Sequence, residues 1–321
     1  MISRDKVCGM ILGTIVGDTV GQPFESKSWE ELNKFRNVKS YLNQWQGHMT
    51  DDSQLTTSTM KAMIEAGINM DVIADYHVKA YKASTSGWGS TTRDAIRSIS
   101  EGTHWSKSGL SDGKHGFGNG VVMKAAPFAA YFAVNQKFED FAKILVDFTA
   151  MTHQTSMAVS SCFAHVTALM ECLNSTYLTF DVKTFIRKVV RASEVGRNYF
   201  SETLTDDLTD KLKSLTKIHE IPDLLFDDKY IITEFGRGSC YVYNSLPMSY
   251  AFFIRGPFSI ESLFDVALAG GDTDTNASLV GGLLGALRGT SVFPLKLVSG
   301  IGQIKEILET VNQFCDKLGI K

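Results

Sequence analysis

No CxxC pair occurs in this sequence. Its five cysteines, Cys8, Cys162, Cys172, Cys240 and Cys315, are odd in number and scattered, which argues against a disulfide framework or a zinc site and fits a reducing, cytoplasmic setting. Charge of one sign is missing too. The 32 Lys+Arg stand against 35 Asp+Glu, a formal charge of −3, so the composition carries no DNA-binding signature. The apolar stretch at residues 7–16 lies between Asp5 and Asp18. It is too short to cross a bilayer and runs into a glycine-patterned helix rather than a cleavage site, so neither a membrane nor export is expected. There is no GxxxxGK[ST] phosphate loop and no fixed-period repeat, which removes the usual support for triphosphate hydrolysis and for a solenoid.

Alternating strand patterns are scarce, while helical spacing recurs. Leu55, Met60, Met63 and Ile64 show it, as do residues 73–81, 138–148, 157–173, 185–199, 263–269 and 304–318. With 44% hydrophobic and 21% charged residues, the composition supports a sizeable core. The expected architecture is all-α: one compact domain over residues 1–321, an orthogonal helical bundle. Gly9, Gly13, Gly17 and Gly21 form one bare ridge on a helix, and Gly281, Gly285 and Gly289 repeat the device. Packed on each other, the two ridges would bring the chain's ends together. Residues 84–92, 106–120 and 233–239 read as loops, and the polar stretch 201–228 as a surface excursion.

Two acidic clusters stand out, Thr50-Asp51-Asp52 at the start of a helical pattern and Asp272-Thr273-Asp274-Thr275 in a glycine-led loop. Capping explains one carboxylate in each, because Asp and Thr accept bonds from free N–H groups in a first turn. It does not explain four. Gathered at one point, they would repel strongly unless divalent cations resolved the repulsion. Four Asp and at least two Thr oxygens are a hard donor set, suited to Mg²⁺, Mn²⁺ or Ca²⁺ rather than zinc. Two ions at about 3.5–4 Å would match the ligand count.

Other segments are ambiguous by residue type. Gly118-Asn119-Gly120 offers backbone N–H groups suited to a diphosphate, yet a plain turn has the same composition. Trp88, in a Gly/Ser-rich stretch, is a candidate stacking surface for a sugar or base. His153 could stack on adenine or bond a phosphate, or simply head an apolar helix. The remaining histidines show no paired metal spacing.

In content and order these segments resemble the ADP-ribosylglycohydrolase family. The most specific elements are GxxxGDxxGxxxE over residues 13–25, TDD at Thr50 to Asp52 and GGDTDTNA over residues 270–277. Weaker ones are GNG…M(R/K)xAP over residues 118–127, Thr152-His153, and NSLP with an aromatic helix over residues 244–253. The resemblance implies a central cleft with two Mg²⁺ ions, or Mn²⁺ in their place, held by Thr50, Asp51, Asp52, Asp272, Asp274 and Thr275. It further implies an ADP-ribose groove lined by Gly118, Asn119, Gly120 and His153, with Glu25, Asp51 or Asp52 as the base that activates water. The implied activity is hydrolysis of the bond between ADP-ribose and an acceptor, whether a protein side chain, a polymer or a small molecule. Lys124 stands where the family pattern prefers Arg and lacks that residue's planar fork. Box-jellyfish lens crystallins are similar to the same family, so a weakly active or inactive structural or ADP-ribose-binding protein is the alternative.

Overall fold

The computed structural model describes residues 2–35, 40, 43, 45–136, 139–201 and 206–321. Among these the protein is helical, without an extended strand. Two isolated bridges occur, Leu110 with His153 and Gly118 with Tyr241.

The first helix, Arg4–Gly21, is capped by Ser3, whose hydroxyl accepts from the Lys6 N–H, and from Gly9 onward every residue is buried. A helix buried all round belongs at the centre of a fold. It lies against Thr273–Arg288, the other helix with an all-buried body, and the two glycine ridges meet as expected. A Cβ added at Gly13 would stand 2.1 Å from the Gly281 carbonyl oxygen, and one at Gly17 would stand 2.1 Å from that of Ala277. Backbone therefore rests on backbone. Gly9 faces Gly285 and Gly289 while Gly21 faces Thr273, so the helices run antiparallel. The last turn of the first helix is thereby set beside the first turn of Thr273–Arg288.

One core joins Val7 to Ile320. Around the central pair stand Asp51–Ala66, Met70–Ala83, Ser156–Asn174, Val182–Gly196, Val242–Arg255 and Ile304–Lys317. Ser156–Asn174 is long and apolar enough to cross a membrane by length and composition, but 78% of that window is buried inside the molecule. The segments read as helical are helical, with shifted ends. Residues 185–199 end as a helix at Gly196, and within 138–148 the helix starts at Phe141, after a turn at residues 139–140; residue 138 lies outside the described residues. Among the described residues, 206–228 are not a surface excursion, and residues 202–205 of the stretch read that way lie outside them. Leu208–Glu220 is an amphipathic helix that buries Leu208, Leu212, Leu215 and Ile218, the apolar stripe that anchors it to the core. Residues 84–92 are likewise not loop throughout, since a helix starts at Ser90.

A candidate metal centre at the floor of a cleft

The central pair delivers Asp18, one turn before Gly21, into the middle of the acidic clusters. Asp18 is fully buried, and its carboxylate accepts from the Thr50 N–H at 2.9 Å, the Thr50 hydroxyl at 2.8 Å, the Ser53 N–H at 3.1 Å and the Ser53 hydroxyl. Asp18 thus caps Asp51–Ala66 from another helix, and Thr50, at the N-cap position, makes no capping bond of its own. The N–H groups of Thr50 and Ser53 are thereby satisfied without Asp51 or Asp52. Neither carboxylate is needed for that part of the cap.

Asp52 accepts from the Thr275 hydroxyl at 3.1 Å through one oxygen, and its other oxygen is buried with no hydrogen-bond partner. Asp272 accepts from the Asn119 amide at 2.7 Å; that amide also reaches Ser245, which donates to Asn276 at 2.7 Å. Asp272 heads Thr273–Arg288 without capping it. Glu25, Asp272 and Asp274 each offer an oxygen within 4.8 Å of the others. The Glu25 segment is tied in by Gly271: Ser26 donates to the Gly271 carbonyl at 2.8 Å, and Gly271 donates to that of Lys27 at 3.1 Å. Gly271 has φ +83°, and a Cβ there would stand 2.2 Å from the Arg237 oxygen, so only glycine closes this turn.

Among the described residues none of Asp18, Glu25, Asp51, Asp52, Asp272 and Asp274 has a basic partner at ion-pair distance. Their protons are held accordingly. Burial, then Asp274, raises the Asp18 pKa to about 7; burial, then Asp274 and Asp18, raises that of Asp51 to about 8. Asp52 and Asp274 are pushed well up, foremost by burial, and Asp272 and Glu25 move in the same direction. An orphaned buried carboxylate oxygen, convergent hard donors and no ion-paired base among the described residues fit a divalent cation. Asp18, absent from the ligands expected from sequence, belongs to the cluster. Its signal was its place in the GxxxGDxxG motif.

A pH dependence follows. In the unfolded chain these carboxyls ionise near 4, whereas in the folded, metal-free protein Asp18 and Asp51 retain protons to about 7 and 8. Between those limits the native state binds more protons, so stability falls as pH rises. In chelator, the melting temperature is expected to drop steadily from pH 5 to pH 8, and millimolar Mg²⁺ should restore it most at the upper end. A flat profile in chelator would contradict the uncompensated cluster.

The cluster forms the floor of a cleft of about 420 Å³, walled also by Gly118, Gly120 and His153. Asn119 is held from both ends, because its N–H donates to the Cys240 carbonyl at 2.9 Å; that removes it from a diphosphate cradle and leaves the flanking glycines. His153 is buried, with Nδ1 2.8 Å from the Thr152 hydroxyl, and burial, then Lys124, lowers its pKa to about 3. It is a neutral wall of the cleft, not a cation for phosphate. Trp88 corrects the sequence reading: 4% exposed, it donates its indole N–H to Gln54 at 2.7 Å and meets Tyr81 edge-on. Gly87 and Gly89 line the cleft and Trp88 does not. Lys124 lies beneath it, fully buried, with Nζ 3.4 Å from the Thr152 hydroxyl and 5.4 Å from the Phe148 ring centre. It acts from below the cleft and is not a ligand in it.

Known proteins share this chain's length and shape. An uncharacterized protein of Archaeoglobus fulgidus is 25% identical over 316 residues, covering 95% of this chain and 94% of its own. The ADP-ribosylhydrolase ARH3 of Xenopus tropicalis is 22% identical over 323 residues, covering 89% and 88%. A solved structure described as an ADP-ribosylglycohydrolase-related protein complex superposes with a TM-score of 0.74 at 20% identity, covering 98% of both chains, and so shares the all-α fold. With the ADP-ribosylglycohydrolase model matched over residues 1–320, the chain belongs to the ADP-ribosylglycohydrolase family.

Proposed function

We propose that this protein hydrolyses the glycosidic bond between ADP-ribose and an acceptor, with two Mg²⁺ ions, replaceable by Mn²⁺, held by Thr50, Asp51, Asp52, Asp272, Asp274 and Thr275. The observation that carries the reading is the convergence of Glu25, Asp51, Asp272 and Asp274 on a cleft with glycine and imidazole walls, with Asp18 and Asp52 buried behind them and no ion pair to any of the six among the described residues. When bound, the cations would supply Lewis-acid polarisation of the ribose hydroxyls and of a water.

The protein's own residues supply the rest. Asp18 fixes the first turn that carries Asp51 and Asp52. Asn119 and the Thr275 hydroxyl orient Asp272 and Asp52. Gly118, Gly120 and His153 leave room for the nucleotide portion. Glu25 is the most exposed of the carboxylates and has a raised pKa, which suits a group that takes a proton from water. The water oxygen bonds to the anomeric carbon as the bond to the acceptor breaks, Glu25 receives the water's proton, and the acceptor leaves with the pair of electrons and a proton from solvent. Asp51 or Asp52 is the alternative base.

The test is a panel of defined substrates, ADP-ribosyl-arginine, ADP-ribosyl-serine, polymer and small metabolites, assayed with Mg²⁺ and with chelator. Free ADP-ribose is expected from at least one of them with Mg²⁺ and from none with chelator. Binding of both Mg²⁺ and ADP-ribose without release from any substrate would overturn the hydrolase reading in favour of a binding or structural role.

A further inference from the structure

The five cysteines are scattered along the chain, but the fold brings two of them together. Cys8 lies on the first helix, Arg4–Gly21, and Cys315 on the last, Ile304–Lys317, with their sulfurs 3.7 Å apart. Among the described residues no other two sulfurs are in contact: Cys162 and Cys172 are buried on Ser156–Asn174, and Cys240 is exposed. Neither Cys8 nor Cys315 lines the cleft.

A clamp one turn away holds the contact in register. Arg4 and Cys8, four residues apart, share a face of the first helix, and Asn312, Cys315 and Asp316 share one on the last. The Arg4 guanidinium donates to the Asp316 carboxylate at 2.6 Å, to the Asn312 carbonyl at 2.9 Å and to the Ile320 carbonyl at 3.0 Å. A cation at the start of one helix thus fastens the last turns of the other. Asp5, the acidic neighbour of this face, is engaged elsewhere, accepting from the Thr290 hydroxyl at 2.6 Å and from the Thr290 N–H at 3.2 Å.

The two thiols are unlike. Cys8 is half-buried, and the hydrogen bond from Cys315, helped by the nearby Arg4 charge, lowers its pKa against the opposing effect of burial. Cys315 is buried, and the same contact, then burial, pushes its pKa up. Cys8 is therefore the sulfur that ionises, and Cys315 the proton-bearing partner behind it. Cys240 is the most exposed of the five, yet desolvation and then Asp272 raise its pKa.

We propose that Cys8 and Cys315 are a peroxide-reactive thiol pair, oxidised by a hydroperoxide to a disulfide that staples the first helix to the last. The Cys8 thiolate attacks the peroxide. A sulfur–oxygen bond forms, the oxygen–oxygen bond breaks, and the leaving oxygen takes up the proton that Cys8 had released and departs as water or an alcohol. Cys8 is then a sulfenic acid. The Cys315 sulfur attacks it, the sulfur–sulfur bond forms, and the hydroxyl leaves as water with the proton of Cys315. Two thiols lose two electrons and one hydroperoxide gains them. The bond closes a loop that takes in nearly the whole chain, and cross-links over long loops restrict the unfolded chain most. It also fixes the helix whose Glu306 pairs at 2.8 Å with Lys61 on Asp51–Ala66. The staple is independent of the chemistry of the cleft.

The test is to expose the full chain to a few equivalents of hydrogen peroxide and map its thiols by alkylation and mass spectrometry. Expected are peptides joined through Cys8 and Cys315, Cys240 still alkylated, and a rise in melting temperature of about 3–6 °C that dithiothreitol reverses. In Cys315→Ser, Cys8 should stop at the sulfenic acid and be captured by dimedone, with no such rise. In Cys8→Ser, Cys315 should stay reduced. Oxidation that falls on Cys240 first, or a Cys8 oxidised in the parent without a bond to Cys315, overturns the pair. So does full alkylation of both Cys8 and Cys315 after peroxide, and that mapping is made on the parent, so it stands whether or not the variants fold. A cross-link that leaves the melting temperature unchanged overturns the staple.

Discussion

Asp274→Asn is expected to abolish cation-dependent turnover while making the metal-free protein more stable. Asp274 is 4% exposed, shares a proton with Asp272 and lies within ligand distance of Glu25. Asparagine keeps the geometry: its carbonyl can accept from the Thr275 N–H, as the Asp274 oxygen does at 2.8 Å, and its amide can donate to Asp272. What disappears is one negative charge. Charge that an active site places against a developing transition state is worth about 10²–10³-fold per group, and here the same group also helps to hold the cation, so a loss of about 10³-fold or more is expected. Stability should move the other way. Asp274 pushes up the pKa of Asp18, Asp51 and Glu25, and each unit relieved is about 1.4 kcal/mol. In chelator at pH 8 the variant should melt about 2 °C or more above the parent, and the rise produced by Mg²⁺ should be lost. Turnover within a few-fold of the parent would remove Asp274 from the centre. A lower melting temperature in chelator would show that its charge was compensated after all.

How much of this site was legible depends on whether a residue's role is written next to it. Thr50 to Asp52 and Asp272 to Thr275 were legible because their carboxylates are contiguous and outnumber what a helix start can use. The capping role of Asp18 was not, since its bonds go to Thr50 and Ser53, and beyond its place in the glycine motif nothing near residue 18 says that it caps a helix more than thirty residues on. The same bonds settle which carboxylates the cap leaves free. Trp88 was misjudged because a Gly/Ser-rich segment does not say which way an indole turns; the acceptor of its N–H, Gln54, sits on the distant helix Asp51–Ala66. Around Leu208–Glu220 the count of Asp and Lys concealed a periodicity. Leu208, Leu212, Leu215 and Ile218 recur at helical spacing, and the charged residues between them are only the wet face. The glycine ridges were fully legible, because four glycines in register on one helix and three on another have little other use than close approach.

That close approach makes Gly17→Ala a strongly destabilising substitution. In an open helix the change would stabilise by about 0.5–1 kcal/mol. Here the new Cβ would lie 2.1 Å from the Ala277 carbonyl oxygen, 2.5 Å from its carbon and 2.7 Å from the Ser278 Cα, all backbone atoms that no rotamer change can move. The two central helices would have to separate. Overpacking of a core costs about 1–3 kcal/mol when side chains can give way, so about 3 kcal/mol or more is expected, a fall in melting temperature of about 4–5 °C or more. Gly302, with nothing within 4 Å of an added Cβ, is the control, and Gly302→Ala should leave the melting temperature within about 1 °C, as surface changes do. Function should suffer with stability. Gly17 adjoins Asp18, and Ala277 lies one helical turn beyond Asp274, so separating the helices pulls Asp18, Asp51 and Asp52 away from Asp272 and Asp274. Even at a temperature where Gly17→Ala remains folded, its affinity for Mg²⁺ should drop by at least about tenfold, the lower bound for disturbing groups that orient metal ligands. A variant that melts like the parent and binds Mg²⁺ equally well would show that the acidic clusters are held together by something other than the bare contact of these two helices.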